Sequence, residues 1–167
     1  MKITIPTQGG YLPDKYAKYS DVKLNGNPIV SFPVEFAEVP KNARSLALVF
    51  VDFDSIPVCG FAWIHWLAAN IAPDTVNLAE DASRIGAFGM VQGSNSCASP
   101  FVGERDKNVT HRYIGPTPPD KDHIYKVTAY ALDCMLDVQD GFFLNEMLRK
   151  MDGHIIEKAS AEFIGKA

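Results

Sequence analysis

The sequence predicts a β-rich fold, and three observations carry that prediction. Eleven prolines and twelve glycines are spread along 167 residues at intervals that punctuate many short elements. Continuous or alternating apolar stretches at Ser45–Val51, Gly60–Ala69, His123–Leu132 and Lys158–Ile164 have the lengths of strands. Only Phe143–Met151 carries a convincing helical period. A chain of this length is expected to form one domain over residues 1–167 and to bury a sizeable core.

Taken in order, the first forty residues hold Pro6, Gly9-Gly10, Pro13, Asn25-Gly26-Asn27-Pro28, Pro33 and Pro40, which leaves room only for short strands such as Ile29–Phe32. The unbroken apolar character of Ser45–Val51 is that of a strand covered on both faces. Gly60–Ala69 is expected as its partner in the core, rich in aromatics and interrupted by one polar residue, His65. From Pro73 to His111 the composition turns polar and reads as mainly loop with short strand pieces; a loop that long is usually functional. His123–Leu132 alternates, with Tyr125, Val127 and Ala129 on one side and Lys126, Thr128 and Tyr130 on the other. In Phe143–Met151 the positions Leu144, Met147, Leu148 and Met151 form a stripe for the core, with Asp140 as the expected cap and Gly153 as the stop. Ala159, Ala161 and Phe163 share one face of a last strand.

Sixteen Lys plus Arg against twenty Asp plus Glu give a net charge of −4. That balance argues against a nucleic-acid binder, which concentrates cations to displace counterions. The longest apolar run, Leu46–Val51, falls far short of the ~20 residues that span a bilayer, so no integral membrane segment is expected. No apolar stretch of secretory type follows Met1, which points to the cytoplasm. Cys59, Cys97 and Cys134 lack paired spacing, as reduced thiols do, and nothing in the sequence places a base beside Cys97.

Two features rise above this background. Asp52-Phe53-Asp54 ends the buried strand, where carboxylates are costly unless hydrogen-bonded or paired. Gly115-Pro116-Thr117-Pro118-Pro119 runs into Asp120-Lys121-Asp122-His123-Ile124-Tyr125, and its prolines make a stiff wall that delivers His123 at the mouth of the next strand. Such rigidity suits a preformed pocket.

These pieces, with His65-Trp66, Asn70-Ile71, Ala131-Leu132-Asp133 and Gly153-His154, resemble in order and spacing the phosphatidylethanolamine-binding protein family, above all its bacterial Raf-kinase-inhibitor-like branch. The likeness runs from about Ser45 to the C-terminus. It implies a β-sandwich with a few peripheral helices and a small pocket that accepts a phosphate or a phospholipid headgroup, with Asp52, Asp54, His65, Thr117, Pro118, His123 and Tyr125 lining or supporting it. Relatives of this type usually carry Pro where Phe53 stands, Ala-Pro where this chain has Ser55-Ile56-Pro57, and Arg where Ile124 stands.

The residue types allow that chemistry on their own terms. Imidazoles donate hydrogen bonds to an anion, neighbouring carboxylates raise their pKa, and Tyr125 adds a hydroxyl. Phosphate affinity should then weaken as pH climbs well above ~6.5. The expected function is a non-enzymatic small-anion binding module for a phosphate-like or carboxylate ligand, a lipid headgroup or a phosphorylated partner, with a kinase-inhibitor-like regulatory role by analogy and no cofactor or resident metal. Two readings compete. One is a metal-dependent hydrolase using Asp52, Asp54, His65 and His123; the other is an interaction protein whose pocket is vestigial. His111 and His154 are expected to be structural or at the surface, Trp63 and Trp66 to be core and interface aromatics, and the aromatic strand Phe61–Trp66 to serve a homodimer.

Overall fold

A computed structural model describes residues 1–86 and 89–167. Among the described residues, ten strands form three antiparallel sheets. The strands are β1 (Lys2–Thr4), β2 (Lys23–Leu24), β3 (Asn27–Pro28), β4 (Val34–Ala37), β5 (Ser45–Asp52), β6 (Trp63–Ile71), β7 (Asn77–Leu78), β8 (Val91–Gln92), β9 (His123–Leu132) and β10 (Ile155–Gly165). The large sheet has the order β10-β9-β5-β6-β8, the small one β1-β4-β7, and β2 pairs with β3 alone. Four α-helices of the described residues are peripheral: α1 (Ile56–Cys59), α2 (Ala82–Ile85), α3 (Lys107–Thr110) and α4 (Leu144–Met151).

All eight residues of β5 are buried, because the strand lies at the centre of the large sheet and both faces are covered. Leu46, Leu48 and Phe50 face the small sheet, where they meet Phe32, Val34, Phe36, Trp66 and Val127. Ala47, Val49 and Val51 face the other way, toward Leu67, Phe142 and the Met147 and Met151 of α4. Phe32 is the hub of the first layer: its ring makes edge contacts with Tyr16, Phe50, Trp66, Tyr113 and Phe163.

The expected strand at Ile29–Phe32 is absent. The strands there are β3 and β4, and the segment between them is held by other means: the Ser31 carbonyl accepts from the Asp81 N–H at 2.8 Å and its hydroxyl from the Ser83 N–H at 3.2 Å. The aromatic strand starts at Trp63 rather than Gly60, since Gly60 closes α1 with φ +91°. Asp140 does not cap α4, as its carboxylate holds Arg112 and His111; Phe143 stands at the cap position and offers no side-chain hydrogen bond. Gly153, at φ +77°, does end the helix, in a turn closed by the His154 N–H and the Met151 carbonyl. The described residues of the polar stretch after Pro73 are mostly irregular, with β7, β8 and short helices that a four-residue length hides from periodicity; Ala87 and Phe88 of that stretch lie outside the described residues.

Candidate functional site

The site is built on two local departures from regular sheet. Along β5 and β6 the pairing steps from Phe50 opposite Trp66 to Val51 opposite Ile64, so His65 is the extra residue of a bulge. Strict alternation would turn His65 away from the face Trp66 occupies. The bulge instead brings it to the same side, where its ring lies 4.9 Å from Phe50 and 5.2 Å from Tyr125. Backbone groups of this stretch that pair with no strand are satisfied from loops: the Ile64 N–H donates to Ser96 Oγ at 2.8 Å and the Ile114 N–H to the His65 carbonyl at 3.1 Å. The second departure is Gly165, which pairs with His123; a Cβ there would stand 2.4 Å from the Tyr125 ring, so only glycine leaves the tyrosine its place.

Between these elements lies a cavity of about 240 Å³, lined on its polar side by Asp52, Ser55, His65, His123 and Tyr125 and walled by Trp63 and Thr117-Pro118-Pro119. Pockets for drug-sized ligands run to roughly 300–1,000 Å³, so this one suits a small group. The wall is fixed at its base, where the Gly115 N–H donates to the Pro28 carbonyl at 2.8 Å, and at its middle, where Lys18 Nζ donates to the Pro118 carbonyl at 3.0 Å.

Six of the seven residues named from the sequence line this cavity; Asp54 does not. Its carboxylate accepts from the Ile124 N–H at 2.8 Å and so latches the start of β9 to the end of β5. Asp52 is buried. One of its oxygens accepts from the Ser55 N–H at 3.1 Å, and the other faces His123 Nδ1 at 2.7 Å.

The two histidines differ in kind. His65 Nδ1 stands 2.9 Å from the Ile114 carbonyl, which only accepts, so Nδ1 carries the hydrogen and the lone pair is left on Nε2. Burial pushes its pKa down to about 4, and the ring is neutral at physiological pH. The expectation that both imidazoles act as cationic donors therefore fails for His65. His123 is also buried, which opposes its charge, but hydrogen bonds to two carboxylates outweigh the burial and raise its pKa. Those carboxylates are Asp52 at Nδ1 and Asp120 at Nε2, the latter at 2.9 Å. A protonated His123 thus spans a buried acid behind it and a half-exposed acid in front. Burial, followed by the nearby Asp52 charge, raises the Tyr125 pKa and keeps its hydroxyl a donor.

Asp120 is the residue that sequence reasoning did not assign. Its signal was a carboxylate three positions before His123 in a turn, a spacing that folds the two together but is common without function. Ser55 and Trp63 also line the pocket unassigned. For the hydrolase reading, His123 directs its two nitrogens to opposite carboxylates, and among the described residues Asp52, Asp54, His65 and His123 do not bring three ligating atoms within 4.8 Å of one another. Cys97 is buried, and burial pushes its thiol up to about 11, away from the thiolate form a nucleophile needs. Trp66 is wholly buried and donates to Gln92 Oε1 at 2.8 Å, whereas Trp63 stacks on Phe61 at 5.8 Å. Among the described residues, no helix is long and apolar enough to cross a membrane.

A family model described as phosphatidylethanolamine-binding protein matches residues 2–164. The YxkA protein of Bacillus subtilis is 52% identical over 158 residues, which cover 93% of this chain and 94% of the relative. Among solved structures, the phosphatidylethanolamine-binding protein homolog CT736 of Chlamydia trachomatis superposes with a TM-score of 0.80 at 32% identity, covering 99% of this chain and 97% of that one. YbcL of E. coli, described as a member of the mammalian family of that name, gives 0.78 at 23% identity, covering 99% and 98%.

Proposed function

Since the chain belongs to the phosphatidylethanolamine-binding protein family, we propose that its pocket binds the oxyanion head of a small phosphorylated or carboxylated molecule and catalyses no reaction on it. One observation carries this reading. The outward N–H of a buried imidazolium, His123 Nε2, is met at 2.9 Å by the half-exposed carboxylate of Asp120. That oxygen has the place and charge an oxyanion of the ligand would take, and Asp120 stands on a loop from which it can swing into water. Left in place, Asp52 and Asp120 face one imidazolium, a balance that repels a second anion. Ligand entry therefore displaces Asp120.

The remaining contacts favour a singly charged head. His65 Nε2 offers a lone pair, which a protonated phosphate oxygen satisfies and a dianion does not, while Tyr125 supplies a hydroxyl donor. An apolar flank accompanies them: Val58 lines the cavity, and Ile56, Phe61 and Ile124, each beside a lining residue or stacked on one, are exposed. An organic phosphate should thus outbind the inorganic ion.

Calorimetric titration at pH 6 with inorganic phosphate, phenyl phosphate, phosphoserine and glycerophosphoethanolamine tests the reading and separates its sources. Saturable binding is expected, weaker in His123→Ala and stronger in Asp120→Ala. If neither wild type nor Asp120→Ala binds any of the four at millimolar concentration, the oxyanion function is wrong.

A further inference from the structure

At the other end of β9, about 30 Å from the pocket at the ~3.3 Å rise of a strand residue, a second group of chemical side chains stands together. We propose that Asp133, Cys134 and His154 form a binding site for a zinc-class divalent cation. One carboxylate oxygen, one thiol sulfur and one imidazole nitrogen there all lie within 4.8 Å of one another. Zinc held tetrahedrally at ~2.0–2.3 Å places its ligand atoms roughly 3.3–3.7 Å apart, so the donors need shifts of about an ångström and no rebuilding of the chain.

Backbone structure holds them in position. The pairing of Leu132 with Ile155 sets Asp133 and His154 across from each other, and the Asp133 N–H donates to the His154 carbonyl at 3.1 Å. The Cys134 carbonyl accepts from the Ser45 hydroxyl at the start of β5. His154 leaves the Gly153 turn, whose positive φ aims it back over the sheet end. His154 Nδ1 and Asp133 Oδ1 now share a hydrogen bond at 2.8 Å, the contact a cation would open.

The donor set chooses the metal. Calcium and magnesium prefer oxygen alone, whereas sulfur, nitrogen and oxygen together suit zinc and cobalt(II). Both the Asp133 and His154 side chains are about half exposed, so the ion enters from solvent and its fourth position goes to water or an exchangeable ligand.

The test is titration of the full chain, stripped of metal by chelation and carrying Cys59→Ser to silence an exposed thiol, with cobalt(II) and then zinc. A thiolate-to-cobalt charge-transfer band and tetrahedral d–d bands should saturate at one equivalent and be bleached by zinc. Cys134→Ser should abolish the charge-transfer band, His154→Ala should weaken binding by more than roughly tenfold, and His123→Ala in the distant pocket should change neither. Zinc should raise the melting temperature of the parent but not of Cys134→Ser, a readout that does not depend on colour. A parent without the thiolate band, or a band that survives Cys134→Ser and vanishes with Cys97→Ser, overturns the site.

Discussion

Acidification should strip stability from this fold through His65. The unfolded chain takes up a proton at this side chain near pH 6.5, the folded chain only near 4. Between those values unfolding binds a proton, so stability falls as pH falls. A difference of about 2.5 units, at 1.36 kcal/mol each, gives a loss of about 3 kcal/mol, complete below pH 4. Against a total of roughly 5–15 kcal/mol for a domain, that loss is large. Its structural cause is the aromatic box of Phe50 and Tyr125 around a ring that is 3% exposed, with a single carbonyl as its hydrogen-bond partner. His65→Asn keeps a donor close to the place of Nδ1 and removes the titration. Urea unfolding of both proteins at pH 7, 6, 5 and 4 isolates the effect, since other titrating groups cancel in the difference. Wild-type stability minus variant stability should shrink by about 3 kcal/mol across that range, starting just below pH 6.5. Parallel curves would refute the reasoning and mean that water reaches the ring.

Four further outcomes are expected. Affinity for phenyl phosphate should fall as pH rises above 6.5, because His123 discharges at its raised pKa and the phosphate loses its second proton near 6; calorimetry from pH 5.5 to 9 gives the profile, and a flat one excludes the imidazolium. The same raised pKa makes His123 a source of stability that is fully present below 6.5 and lost as pH climbs through the folded value, opposite in sense to His65. Phe32→Ala, at the hub of the aromatic layer, should cost about 3–5 kcal/mol in urea unfolding. Gly115→Ala would put a methyl 2.3 Å from the Tyr16 carbonyl oxygen, which lies on backbone and yields little, so both stability and anion binding should drop as the proline wall shifts.

Much of the frame was legible because its signals are long. β5 is apolar throughout and is covered on both faces, as its composition implied, and β9 alternates over ten residues. β10 extends past its expected bounds to Ile155 and Gly165, since its outer half is exposed and carries no apolar pattern. Ile29–Phe32 failed as a strand because its apolar side chains pack through a loop pinned by Ser31. In the helix, Met147 and Met151 are buried as the stripe required, while Leu148 is half exposed. In the site, the acid at the end of β5 and the histidine after the prolines announced themselves by cost and stiffness. His65 was visible as an interruption, yet its direction was not, because a bulge changes the count of residues without changing their kinds. Asp120 was hidden for a different reason: a surface acid beside a turn is the commonest of residues, and only its meeting with Nε2 gives it meaning.

That uncounted residue in β6 has a consequence for how such a protein can change. Substitutions at Val58 or Thr117, exposed residues of the lining, can reshape the cavity's entrance by degrees, each within reach of a single codon. The level at which the imidazole of His65 hangs above the sheet is set by an integer, the one-residue offset opposite Phe50 and Val51. No exchange of side chains shifts an integer; only a gained or lost residue does, and it would turn the whole row of β6 side chains beyond it inside out. Preference for one ligand over another is therefore free to drift at the mouth while the floor is inherited unaltered.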